Sequence, residues 1–292
     1  MRSFLKFILI FSGILLVSAF LAPILFDFLP FKFEKIFNRI VMILTLLAIA
    51  FFVRFRREMF VKYGLVWQKD SLNLWARTFF VSIVLVGILV GTRVFMGHVL
   101  WAPREMTFFE WSFRILKVLG AALLIALIEE FFFRGYIYLS LRDRFRWPLF
   151  LSLVVTNLFY ALIHFIGEDM PFIGPNPTVV DSFRLVMAPF SSLKDWPSFW
   201  PGAVGLFLLG LILSDLFIRS GSLYPSMGFH AGCVFFVKMD GLYVDFLNNK
   251  SLLWGSSLVY DGVFGWLFLV LMWAIFRGVI PKKLIASQKD VI

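Results

Sequence analysis

The sequence predicts an all-α fold, a polytopic membrane helix bundle of about eight transmembrane helices with both termini cytoplasmic. Three observations carry that prediction. Of the 292 residues 61% are hydrophobic, and the mean hydropathy is +0.89. Soluble domains are closer to half apolar, so the excess requires a nonaqueous solvent. Eight windows of the length a spanning helix needs, ~20 residues, are predominantly apolar. Finally, Lys and Arg gather between those windows rather than along one face, the pattern of topology signals.

The first window, residues 4–26, follows Arg2 and Lys6 and carries small residues at Ser18, Ala19 and Ala22, as a signal peptide does. Its apolar part exceeds the usual ~7–15 residues of a secretory core, so a retained span is expected. The second, 36–53, stops at Arg54, Arg56 and Arg57, and the third, 78–100, lies between Arg77 and Trp101 with Arg93 inside it. The fourth, 115–138, contains Glu129, Glu130 and Arg134. Arg142, Arg144 and Arg146 precede Trp147, Pro148 and the fifth window, 148–167. The sixth, seventh and eighth are 202–218, 222–239 and 259–280.

With the N-terminus inside, 17 of the 28 basic residues fall on the cytoplasmic side and ten outside, which sets the orientation. Trp101, Trp111, Trp147, Trp196 and Trp200 stand at window ends, where amphipathic indoles prefer the headgroup region. Residues 168–200 hold Pro171, Pro175, Pro177, Pro189 and Pro197 with Gly174, and Gly167 just precedes them, which argues against a continuous helix there. An extramembrane loop is expected, either a lid or re-entrant element or a plain surface connection. No internal repeat interrupts the chain, so residues 1–292 read as a single integral membrane domain.

A net charge of +10 spread over loops does not make a nucleic-acid surface, and the bilayer is the expected partner. The sole cysteine, Cys233, precludes an intrachain disulfide or a cysteine metal cluster.

Ionisable groups at membrane depth cost from ~2.5 to more than 10 kcal/mol each, so those present here point to function. Arg134 lies one helical turn from Glu130 on nearly the same face, whereas Glu129 is rotated away from that pair. The apolar run continues past Arg134 through Tyr136 to Leu141, so the cluster need not mark a helix end. His164 follows Asn157 by seven residues and Tyr160 by four, placing all three on one stripe of the fifth helix. His230 sits among Gly228, Ala231 and Gly232, small residues that permit close helix approach. Taken singly, each histidine has a plain packing reading. A glutamate with two histidines is nevertheless a sufficient kit for activating water or holding a divalent metal, so hydrolysis leads. The zincin helix, the nucleophile elbow and the phosphate-binding loop are all missing from the sequence.

Glu129-Glu130 with Arg134, Tyr160 with His164, and His230 resemble, in order, spacing and membrane context, the motifs of the CPBP family. Those membrane proteases are related to the Ras-converting CAAX prenyl endopeptidase and to bacteriocin-processing, Abi-like immunity proteins. The resemblance covers residues 115–240, with the continuation Phe133-Arg134-Gly135-Tyr136 and the lead-in Gly221-Ser222-Leu223. Tyr160 stands where the family has phenylalanine, and Val234 where it has asparagine.

The resemblance implies a glutamate-dependent intramembrane endopeptidase acting on a membrane-tethered protein or peptide. Glu129, helped by His164, would activate the water, and His230 would stabilise the oxyanion. Glu130 and Arg134 would form a structural pair. No cofactor is implied, and a divalent metal is left open. Val234 removes a donor worth ~100- to 1,000-fold in rate, so either another donor such as Asn157 substitutes or the chain binds without cutting, as an immunity or scaffold factor. Proton-coupled transport through the carboxylates is a third class, disfavoured by the missing repeat. A prokaryotic inner membrane is the expected location. Counting 1.5 Å per residue puts Glu129 and His230 at similar depth but His164 ~10 Å further out, a gap that a tilted fifth helix, or a start later than Pro148, would have to close.

Overall fold

A computed structural model describes residues 2–53, 61–65, 67, 69–164, 173–192, 196–247 and 251–280. Arg54, Arg56, Arg57, Pro171 and the C-terminal lysines of the topology count lie outside the described residues. The helices found are α1 (Arg2–Phe26), α2 (Phe33–Val53), α3 (Ser71–Phe95), α4 (Phe108–Glu130), α5 (Leu149–His164), α6 (Val179–Ser192), α7 (Trp196–Ser220), α8 (Tyr224–Asp240) and α9 (Val263–Val279). Two short strands, β1 (Val99–Trp101) and β2 (Val244–Phe246), pair antiparallel. The architecture is all-α, as the apolar windows predict.

Among the described residues, three stretches can cross a membrane by length and composition: Leu9–Phe26, Ser71–Phe95 and Phe199–Ser220. Shorter apolar helices occupy Leu149–His164 and Val263–Val279. These helices suggest an integral membrane protein, because lipid leaves no partner for a backbone that is not internally hydrogen-bonded.

The chain divides into two compact units. The first comprises residues 1–57 and 163–199. Here α1 and α2 pack through Ala19, Ala22, Phe33, Ile36, Phe37 and Ile40, and Leu185 of α6 joins the same core. Small alanines let the α6 backbone come close enough for Ser182 to donate to the Ala19 carbonyl at 3.0 Å. The Pro/Gly-rich stretch is thus not wholly irregular. After Pro175 and Pro177, Thr178 with Asp181 starts α6, which contains Pro189: the Thr178 N–H and hydroxyl both donate to the Asp181 carboxylate, at 2.9 and 2.8 Å.

The second unit comprises residues 58–162 and 200–292. Its central contact is α3 against α8. Gly228 and Gly232, one turn apart, meet the Trp75 and Phe79 carbonyls and the Thr78 and Ser82 hydroxyls so closely that a Cβ at either position would collide with them. This is small-residue packing as membrane helices use it, and it settles the placement of everything α8 carries. Thr107 and Glu110 form a capping box that starts α4. On α7, Asp215 accepts from Arg219 at 3.2 Å, Arg277 at 2.9 Å and Trp273 at 2.8 Å, tying α7 to α9. At the strand-bearing end Trp101 and Trp111 both stack on Tyr243, an aromatic cluster of the kind found at membrane interfaces.

After Glu130 the helix does not end. It continues as a π-helix over Phe131–Tyr138 and again over Ser140–Arg144. The wider turn brings three consecutive residues, Phe133, Arg134 and Gly135, into the interior. Gly135 is required there, since a Cβ would stand 2.7 Å from the Tyr63 carbonyl. Extended π segments are rare and concentrate at functional sites.

Candidate active site

Glu130 and Arg134 form the pair that their spacing predicts, with Arg134 Nη1 3.1 Å from Glu130 Oε1 and both side chains 0% exposed. The guanidinium also donates through Nη2 to the Gly210 carbonyl at 3.1 Å and to Asn157 Oδ1 at 3.4 Å. Its carbon lies 4.6 Å from the centroid of the Tyr160 ring, a desolvated cation–π contact. Arg134 therefore joins the π segment to α5 and α7. It neutralises a carboxylate that could not otherwise be buried.

The same carboxylate oxygen meets His230. His230 Nδ1 is 2.8 Å from Glu130 Oε1, and the ring is 3% exposed. With Glu130 already accepting from Arg134, Nδ1 is the donor, which orients the imidazole and turns Nε2 to the opposite side. There Nε2 lies 3.8 Å from Glu129 Oε2, whose side chain is 26% exposed. The result is a chain of four groups, Arg134, Glu130, His230 and Glu129, in which the histidine stands between two adjacent glutamates. The edge of Tyr160 packs against His230, ring centroids 6.3 Å apart.

Asn157 is wholly buried, its carboxamide oxygen accepting from Arg134 and from Ser214 Oγ at 3.1 Å. His164 is the last residue of α5, half-buried, one turn past Tyr160, and belongs with residues 163–199 to the first unit. Val234 is half-buried one turn past His230 on α8. The structure thus brings together Glu129, Glu130, Arg134, Tyr160, Asn157 and His230. Among the described residues, no group of three or more His, Cys, Asp or Glu is arranged to hold a metal ion.

Two contributors escape a motif reading. Gly210 supplies a carbonyl to Arg134, and a Cβ there would come within 2.7 Å of Asn157 Oδ1; Ser214, four residues on, completes the support. Their spacing, Gly210-x-x-x-Ser214, is the sequence signal for a close helix approach.

Residues 110–236 match the family model described as Rce1-like type II CAAX prenyl endopeptidase, a stretch that contains every residue of this cluster. No curated protein and no solved structure matches the chain. The cluster of half-buried Glu129 with buried Glu130 and His230 is consistent with a glutamate/histidine protease site. Residues 110–236 accordingly carry a domain of the Rce1-like type II CAAX prenyl endopeptidase family.

Proposed function

We propose that the protein is an intramembrane endopeptidase that hydrolyses a peptide bond of a membrane-associated protein or peptide with Glu/His-activated water. The observation that carries this reading is the placement of His230 between Glu130 and Glu129. Glu129, the more exposed carboxylate, is the general base that takes a proton from the attacking water. His164, at the end of α5, assists it. Glu130 accepts from Nδ1–H and so aims Nε2 at Glu129; when Glu129 passes the water's proton to Nε2, that N–H donates to the oxyanion of the tetrahedral intermediate. Asn157 and Tyr160 hold the Arg134 guanidinium, and Arg134 in turn holds the Glu130 carboxylate in place. Eight spans, cytoplasmic termini and a prokaryotic inner membrane belong to the same proposal.

The test compares wild type with Glu129→Gln, in cells by searching for an accumulating uncleaved precursor and in reconstituted membranes by its cleavage. Loss of a positioned general base lowers turnover by ~10²- to 10⁴-fold. Equal processing by both forms refutes the mechanism.

Val234 favours a second reading, in which the chain binds without cutting. A second oxyanion donor is worth ~2.7–4 kcal/mol, so Val234→Asn is expected to raise turnover of any processed substrate. A variant that stays inert on substrates the wild type also leaves intact supports the binding reading.

A further inference from the structure

Five buried polar atoms, on the Glu130–Arg134 pair and along α5, have no hydrogen-bond partner among the described residues: Glu130 Oε2, Arg134 Nε, Ser152 Oγ, Thr156 Oγ1 and Asn157 Nδ2. All five parent side chains are 0% exposed. Buried polar atoms are almost always satisfied by protein or by ordered water, so these five require an explanation.

The hydroxyls are the clearest case. A helical Ser or Thr usually turns back to a carbonyl of the preceding turn, as Thr78 does to Leu74 and Ser220 does to Leu216 in this protein. Ser152 and Thr156 do not. Both instead lie on a ridge of α5 that runs from Ser152 through Thr156 to Tyr160, two steps of four residues and ~12 Å in all. Tyr160 covers Arg134 and borders His230. The ridge begins three residues into α5, just past Arg142 and Arg146, and ends at the candidate site.

The chemistry of the five atoms selects their ligand. Arg134 Nε and Asn157 Nδ2 only donate, the Glu130 carboxylate only accepts, and the two hydroxyls do both. An anion would face Glu130 and a cation would face Arg134, while an apolar group would satisfy none of them. Water satisfies all of them, and a buried water typically makes about three such bonds.

We propose that Ser152, Thr156, Asn157 and the unpaired edges of Glu130 and Arg134 bind a file of internal water running from the N-terminal end of α5 to His230. The file supplies the water that a hydrolase inside a bilayer consumes. That delivery role rests on the endopeptidase reading; the water binding does not.

Radiolytic hydroxyl labelling of the full chain in lipid nanodiscs, read by mass spectrometry, separates the two. Activated internal water labels the side chains it touches, so Tyr160 is expected to label at least about tenfold faster than Phe229, an equally buried aromatic outside the file, after correction for intrinsic reactivity. The double variant Ser152→Ala, Thr156→Val should cut Tyr160 labelling at least about threefold, and Thr156→Ser, which keeps a hydroxyl, should leave it unchanged. Circular dichroism of the double variant verifies that it folds. Tyr160 labelling no faster than Phe229, or unaffected by the double variant, overturns the water file. Lost labelling with turnover of a cleaved substrate unchanged overturns delivery alone. If no form cleaves any substrate, the endopeptidase reading fails and the labelling still decides the file.

Discussion

Replacing Arg134 with leucine tests whether the site is held by a buried charge or by ordinary packing. Arg134 contributes three hydrogen bonds, to Glu130 at 3.1 Å, Gly210 at 3.1 Å and Asn157 at 3.4 Å, and the face of Tyr160 at 4.6 Å. A hydrogen bond between membrane helices averages ~0.6 kcal/mol and reaches ~1.7, and a charged donor roughly doubles the average, so Gly210 and Asn157 together account for about 2 kcal/mol. Stranding Glu130 at 0% exposure is the larger effect: breaking a buried pair from one side costs ~3–5 kcal/mol. The charge term dominates. A double-mutant cycle isolates it, because the bonds to Gly210 and Asn157 and the Tyr160 contact are lost in Arg134→Leu whether residue 130 is Glu or Gln. Reversible unfolding in mixed micelles, measured for wild type, Glu130→Gln, Arg134→Leu and the double variant, should give a coupling of at least about 2 kcal/mol. Additivity to within about 0.5 kcal/mol refutes the assignment of Arg134 as the counter-charge of Glu130.

Two further predictions concern the framework. Gly232→Ala places a Cβ against the Phe79 carbonyl and Ser82, and since a backbone cannot yield as a side-chain tip can, α8 must move; we expect ~1–3 kcal/mol of destabilisation with lowered activity, read by thermal unfolding and substrate cleavage together. The Asp181 carboxyl lies below its usual range, first through the Thr178 N–H and hydroxyl and further through Arg184. A depressed folded value means that this cap stabilises α6 above the unfolded pKa and is lost as pH falls through the folded one, so an NMR titration should place Asp181 below an unstructured aspartate and Thr178→Ala should raise it.

The legible part of the site is its local part. Glu130 and Arg134 are neighbours at i,i+4, and any helix, α or π, keeps them within reach, so the ion pair follows from spacing alone. The close approach of α8 likewise shows in Gly228 and Gly232, because absent side chains are visible in a sequence. The helix α6 was less legible: Pro175 and Pro177 dominate the stretch, while the cap at Thr178 and Asp181 that restarts the helix occupies only two positions. The second role of Glu130, as acceptor for His230, could not be read at all. Rotation about α4 assigned Glu130 to Arg134, and nothing local says that a carboxylate serves two partners.

What the sequence by itself determined is the solvent and the vocabulary: long apolar runs demand helices in lipid, and the few ionisable residues inside them must be neutralised nearby or used. Only the tertiary structure decided which groups meet. His230 reaches Glu130 from 100 residues away, and Gly210 reaches Arg134 from 76. Both contacts depend on how helices cross and on a π-helical turn that shifts register after Glu130. Those are properties of packing between distant segments, set by where small residues let backbones touch, and neither residue spacing nor composition along one helix contains them.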